Sequence, residues 1–230
     1  MWLKWLDTRE ADFARVFAFD FSKAFDSANH FILFNKFREL SINPYIGLLL
    51  FLFSSQQRVI ADGNMIPFLP TNRGIHQGTI LGPILFSLML NDIQAVDSDR
   101  STMVKFADDL SVLIKETHAQ TPQEVENILS WTQNNIMTIN LTKTKEMIVK
   151  GKGERPVLTV TFDIKQEVFL KLLGVYFYSN PTDWEKQIDA LLSKAGRPMR
   201  ILRVCKKNGC PGGISTFRLY FRALFGTFFP

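Results

Sequence analysis

Residues 15–21, RVFAFDF, alternate with period two: Phe17, Phe19 and Phe21 fall on one side, Val16, Ala18 and Asp20 on the other. This reads as a strand with apolar residues on both faces that ends in an acid. An ionised carboxylate in such surroundings is costly unless something positive offsets it. The conflict recurs in KFADDL, residues 105–110, where Phe106, Ala107 and Leu110 flank Asp108 and Asp109. If the two strands are neighbours, three carboxylates converge, repel, and drive one pKa upward.

A divalent cation removes that conflict. Oxygen donors without His or Cys favour magnesium or manganese over zinc. Magnesium keeps waters and takes one or two protein carboxylates, which leaves room for phosphate oxygens. Two such ions about 3.5–4 Å apart can activate a hydroxyl and stabilise a leaving group. Each acid alone also has a plain reading: Asp20 as a cap on the turn after its strand, Asp108-Asp109 as a turn dipeptide. Asp26, just ahead of a helix, reads as an N-cap or turn residue.

Composition supplies ample core: 46% of the 230 residues are apolar and 21 are Phe. The net charge of +5 fits a polyanionic partner but is shared by many unrelated proteins. The two cysteines, Cys205 and Cys210, lack a second ligand pair, so they read as free thiols rather than a zinc site. The first residues carry no signal-peptide pattern. The apolar run at 45–53 is too short to span a membrane and reads as a buried helix. The sequence opens just before an apolar strand and stops inside an apolar pattern, as expected either of a compact protein with buried ends or, more naturally, of a piece of something longer.

Helical spacing covers 27–41, and 45–55 follows after Asn43-Pro44. Asp62-Gly63 signals a hairpin, with Pro67 and Pro70 placing its second arm at an edge. Gly74, Gly78 and Gly82 make a flexible loop, and Pro83 suits the first turn of a helix reaching Ile93. Thr121, Pro122 and Glu124 read as a capping box. Strands are expected near 145–150, 157–163 and 172–178, and helices over 182–205 and 214–225. The order predicts an α+β fold, one sheet with helices on one face.

Five blocks occur in order: FDFSKAFDSANH, RGIHQGTILGPILFSLMLND, FADDL, INLTKTKEMIV and KLLGVYF. Together they resemble the palm and the start of the thumb of a reverse transcriptase, with the nearest likeness to non-LTR (LINE-type) retrotransposons. The resemblance implies a palm-type antiparallel sheet backed by helices over residues 1–178, then a partial helical thumb over 179–230. The fingers would lie largely outside these residues, and an endonuclease domain wholly so. It also implies the activity of an RNA-directed DNA polymerase using Mg2+ or Mn2+, with RNA template, DNA primer and deoxynucleoside triphosphates as partners. It implies no membrane partner, and it leaves localisation open, with nucleus or cytoplasm suggested by the likeness to mobile-element enzymes.

Residue by residue, the resemblance implies that Asp20 and Asp108 hold metal, with the Phe21 carbonyl on the same ion as Asp20. Asp109 is the neighbouring acid of the primer-end turn. Phe25 resembles the ring beneath the incoming sugar, which excludes a ribose 2′-hydroxyl. Gln77 and Gly78 resemble the loop beside template and nucleotide, where glycine lets backbone approach closely. Lys143 matches a proposed general acid for pyrophosphate, and a solvated surface lysine fits it equally. Leu172–Val175 resembles the hairpin that grips the primer. Lys194, Arg197, Arg200 and Arg203, with Lys206 and Lys207, would form a basic thumb face, or ordinary helix-surface charge.

Two positions depart from the family pattern. His76 stands where proline is usual, and Ile136 where relatives often have glycine. A catalytic palm and an inactive retroelement remnant that binds nucleic acid or protein both fit the sequence. An RNA-dependent RNA polymerase or a nucleotide cyclase is a third reading, and Phe25 argues against it.

Overall fold

The computed structural model describes residues 13–40, 43, 56–116, 121–150 and 162–207. The helix expected over 45–55, most of the strand at 157–163, the helix at 214–225 and Cys210 lie outside these residues. Phe162 and Asp163 form a turn.

Strand β1 (Phe13–Phe19) is the centre of a five-stranded sheet. The alternation seen in the sequence explains that position, because a middle strand must be apolar on both faces. Ala14, Val16, Phe17 and Phe19 are all buried. β1 pairs antiparallel with β7 (Asp109–Glu116) on one side and β8 (Lys145–Lys150) on the other. β6 (Ser101–Phe106) pairs with β7 at one edge, and β9 (Lys165–Gln166) runs parallel to β8 at the other. The sheet is therefore mixed, which corrects the antiparallel expectation. A two-residue strand is too short to leave a periodic signal.

The helices cover one face. Asn29 caps α2 (His30–Glu39) by accepting from the amides of Phe31 and Ile32, the role the sequence suggested for Asp26. Asp26 instead lies in the short α1 (Ala24–Ser27). α3 (Leu81–Met89) contains Pro83 in its first turn, and α4 (Thr121–Asn134) opens with Thr121 and Pro122. Phe17, Phe19, Leu110, Val112 and Ile114 from the sheet pack with Leu33, Phe86 and Ile128 from the helices. Fully burying a side chain such as Phe17 or Leu33 contributes about 1.5–3 kcal/mol. Glu124 reaches across to the loop before β6, where its Oε1 accepts from the amides of Val96 and Asp97.

The opposite face is smaller. There Val16, Leu113, Met147 and Val149 meet Leu170, Leu172 and Phe177 of the hairpin β10–β11 (Phe169–Leu172 and Val175–Tyr178). The hairpin turns on Leu173 and Gly174, both at positive φ. One buried ion pair, Arg15 with Glu146, links β1 and β8 within the sheet. The Asp62-Gly63 hairpin forms as expected, between β3 (Ile60–Ala61) and β4 (Asn64–Met65), inside a second ladder of β2 (Gln56–Gln57) with β5 (Leu69–Pro70). These strands are exposed and separate from the main sheet, in keeping with edge placement. The long α5 (Glu185–Lys207) follows the β10–β11 hairpin. Among the described residues no helix is long and apolar enough to cross a membrane.

Candidate active site

β1 runs out at Phe19, which pairs with Leu110, so the next residues along the two strands are Asp20 and Asp109. The turn between β6 and β7 is Ala107-Asp108, closed by the Phe106–Asp109 pair. Ala107 takes φ 49°, a left-handed value uncommon for a residue with a Cβ. The turn thus falls one residue earlier than the Asp108-Asp109 joint read from sequence, and Asp109 opens the strand.

Asp20 is pinned by its backbone. Its amide donates to Thr144 Oγ1 at 3.3 Å, and its carbonyl accepts from Asn140 N at 2.8 Å. Phe21 bridges to Ile139, and Ser22 N donates to Thr138 O at 2.8 Å. In this pattern the residues flanking the Phe21–Ile139 bridge make the bonds, so the Phe21 carbonyl points away from Ile139. The same strap seats Lys143: its amide donates to Asn140 O at 3.1 Å, and its Nζ lies 3.9 Å from Asp20 Oδ2. Thr144 and Asn140 escaped the sequence reading, although both sit inside the INLTKT block.

The acids feel one another. Burial first, then Asp108, then Asp20, push the Asp109 carboxyl above its ordinary value. Lys143 is the cation paired with Asp20, and it is largely exposed. The fully gathered three-carboxylate cage expected from the sequence does not form. Among the described residues no set of three or more His, Cys, Asp or Glu is close enough to hold a metal by itself. The donor chemistry still suits a hard cation, since magnesium takes only one or two protein carboxylates and completes its shell with water and phosphate.

Phe25, Gln77 and Gly78 come together. They line one cavity of about 470 Å3 with His76, Thr79, Ile80, Gly82 and Pro83. The Phe25 ring leans on Phe86 at 5.0 Å. The loop is tied to α1 and the residue that follows it: Ile75 N donates to Phe25 O at 2.8 Å, Gly74 N to Ala28 O at 2.9 Å, and Gln77 Nε2 to Asp26 Oδ1 at 3.4 Å. Thr79 Oγ1 donates to His76 O and accepts from Gly82 N, which caps α3. A Cβ at Gly82 would lie 2.9 Å from His76 O, so this loop follows the α3 entry closely. His76, in place of proline, is exposed on the cavity rim.

The basic residues of α5 are less coherent than their spacing suggested. Lys194, Arg200, Arg203 and Lys207 are exposed, and the side chains of Arg197 and Lys206 lie outside the described residues. A three-residue step drifts about 60° around an α-helix, so Lys194 and Arg203 fall about 180° apart. Arg200, Arg203 and Lys207 share one side.

A mixed sheet with helices on one face, an acid ending its central strand and two more at the adjoining turn, is an α+β arrangement of the polymerase-palm kind. Residues 8–189, well over half of the chain, match the family described as "Reverse transcriptase (RNA-dependent DNA polymerase)". The chain belongs to the reverse transcriptase family. It is 23% identical over 147 residues to the "Probable RNA-directed DNA polymerase from transposon BS" of Drosophila melanogaster, a match covering 59% of this chain and 16% of that protein. Among solved structures, apo telomerase from Candida tropicalis superposes with a TM-score of 0.55 at 12% identity, over 79% of this chain and 33% of that one. A form of it truncated from the C-terminal domain gives 0.54 at 14% identity, over 79% and 37%. At these identities the telomerases share the fold. The chain spans about a sixth of the transposon protein and about a third of each telomerase.

Proposed function

We propose that this chain is the palm, with the start of the thumb, of an RNA-directed DNA polymerase that adds deoxynucleotides to a primer 3′-hydroxyl. The observation that carries the reading is the approach of Asp20, just past the end of β1, to Asp108 in the Ala107-Asp108 turn and Asp109 at the start of β7, in a chain of this family. Residues 1–178 serve as palm and 179–230 begin the thumb. The partners are an RNA template, a DNA primer and deoxynucleoside triphosphates.

Asp20, Asp108 and the Phe21 carbonyl would hold Mg2+ or Mn2+. Bound there, the ions supply charge neutralisation for the attacking hydroxyl and the triphosphate. The remaining work belongs to the chain itself. Phe25 floors the cavity where the sugar sits and excludes a 2′-hydroxyl. Gln77 and Gly78 line the wall beside the template and incoming base. Lys143, within reach of Asp20, protonates the departing pyrophosphate. The β10–β11 tip at Leu172–Val175 holds the primer, and the side of α5 that carries Arg200 and Arg203 meets phosphates, with Lys194 on the opposite side. Positioning and charge stabilisation account for most of the rate in phosphoryl transfer, which suits a site built from backbone straps.

The test is primer extension by the chain with RNA template, DNA primer, deoxynucleotides and Mg2+. Extension that depends on metal and is lost in both Asp20→Asn and Asp108→Asn supports the reading. Extension that survives Asp108→Asn unchanged removes its assigned role. Metal-independent binding of primer–template without extension makes the chain a binding remnant.

A further inference from the structure

Lys105 belongs to the FADD block's own strand, three residues ahead of Asp108, yet nothing in the site uses it. It lies on the helix-side face of β6, opposite Leu110. Its Nζ donates to the carbonyls of Asn91, at 3.1 Å, and Ile93. Both carbonyls lie in the segment just past the C-terminus of α3, the end of a helix that carries a partial negative charge. Burial lowers the Lys105 pKa from 10.5, with Asp92 opposing that shift. A half-buried ammonium needs acceptors, and here two carbonyls supply them while the Asp92 charge favours the charged form.

The end of α3 is itself held. Lys36 of α2 donates to Met89 O at 2.8 Å and to Asp92 Oδ1, and its Nζ lies 4.7 Å over the Trp131 ring of α4. Trp131 Nε1 donates to the same Asp92 oxygen at 3.1 Å. This point therefore joins α2, α3 and α4. β6, by contrast, is an edge strand, and among the described residues its only strand neighbour is β7. Without another tie, the end of β6 next to Asp108 would be the loosest backbone around the acids. The other end of α3 carries the cavity lined by Gln77, Gly78 and Phe25.

We propose that Lys105 is a positioning residue: it anchors the Ala107-Asp108 turn to the C-terminal end of α3, so that the acids and the cavity at the opposite end of that helix hold a fixed relation. Its purpose rests on the polymerase reading above, and its physical content does not.

Hydrogen exchange measured on the chain without substrate decides it. In Lys105→Met, which keeps the apolar stem, the amides of residues 106–110 should exchange about tenfold faster or more, while those of β8 keep their rates. Lys105→Arg, which keeps a charged donor, should restore slow exchange. Lys105→Gln, which has an uncharged amide donor on a shorter stem, serves if the methionine variant does not fold. In primer extension, Lys105→Met should raise the Mg2+ needed for half-maximal rate and leave the primer KM unchanged. Unaltered exchange at 106–110, or faster exchange spread evenly over the sheet, overturns the proposal. A wild-type chain that extends no primer refutes the polymerase reading and leaves the exchange result to judge the anchor.

Discussion

Asp20 and Asp109 stand side by side, one residue beyond Phe19 and Leu110, the last paired positions of β1 and β7. The sheet's register thus brings two like charges to the end of its central strand pair. Both acids are held mainly by backbone, with the exposed Lys143 beside Asp20. The Asp20 peptide is bonded at both N–H and C=O, and Asp109 is paired with Phe106.

The first consequence concerns pH. The Asp109 carboxyl is raised above 3.8 by burial, then Asp108, then Asp20. A carboxyl raised in the folded state contributes stability that is full below its unfolded pKa and lost as pH rises through the folded value. At neutral pH the ionised group weighs slightly against folding, since Asp109 is exposed and water screens its charge. Asp109→Asn should therefore melt higher than wild type near pH 7, with the difference closing as pH falls toward about 3. Mg2+ should narrow the gap by stabilising the wild type. Identical melting curves near pH 7 would contradict the coupling.

Phe25 has two jobs that one substitution separates. Its ring packs on Phe86 at 5.0 Å and also lines the cavity with Gln77 and Gly78. Phe25→Val should cost about 1–2 kcal/mol of stability through lost packing. It should also raise the use of ribonucleotides relative to deoxynucleotides by about tenfold or more. Denaturant unfolding reads the first effect and competitive incorporation the second. A stability loss with unchanged sugar preference would leave Phe25 a packing residue.

Lys143 is exposed and 3.9 Å from Asp20, so the ion pair adds little to stability. Lys143→Ala should melt with the wild type yet extend primers about 100-fold more slowly, the scale of a lost general acid. Lys143→Arg, a weaker acid, should fall between. Measured extension rates within twofold of wild type for the alanine variant would return this lysine to the solvated surface.

Ile136 holds a conformation that does not suit it. α4 ends in a Schellman motif: Met137 N donates to Thr132 O at 2.8 Å and Ile136 N to Gln133 O at 3.1 Å. Ile136 occupies the left-handed position with φ 54°, where a Cβ is strained. Ile136→Gly should stabilise the chain by about 0.5–1 kcal/mol in urea unfolding, strain relief being partly offset by the added freedom of the unfolded glycine. A loss of stability would mean that the exposed isoleucine side chain makes up for its backbone.

Much of this was legible in the sequence for identifiable reasons. β1 and the two acid-bearing segments declared themselves through alternation and apolar surroundings, and Asp62-Gly63 through turn chemistry. What was hidden depends on distance along the chain or on short elements. Asp26 and Asn29 are both plausible caps, and only the fold decides that Asn29 faces the free amides of α2. β9 has two residues and no pattern. Ala107 gives no hint that it will take φ 49° and draw the turn forward by one. Lys105 resembles any polar strand residue until the end of α3 is found against it.

The spiral of basic side chains on α5 limits how that helix can meet a polyanion. Each phosphate neutralised on a duplex adds about −0.9 to the slope of log affinity against log salt. If all six cations from Lys194 to Lys207 met phosphates, α5 would contribute about −5 to that slope. A duplex lying along one side reaches Arg200, Arg203 and Lys207 and leaves Lys194 facing elsewhere, which lowers the contribution to about −3. The tenacity of this segment at rising ionic strength is thereby set by helical pitch more than by its count of positive charges.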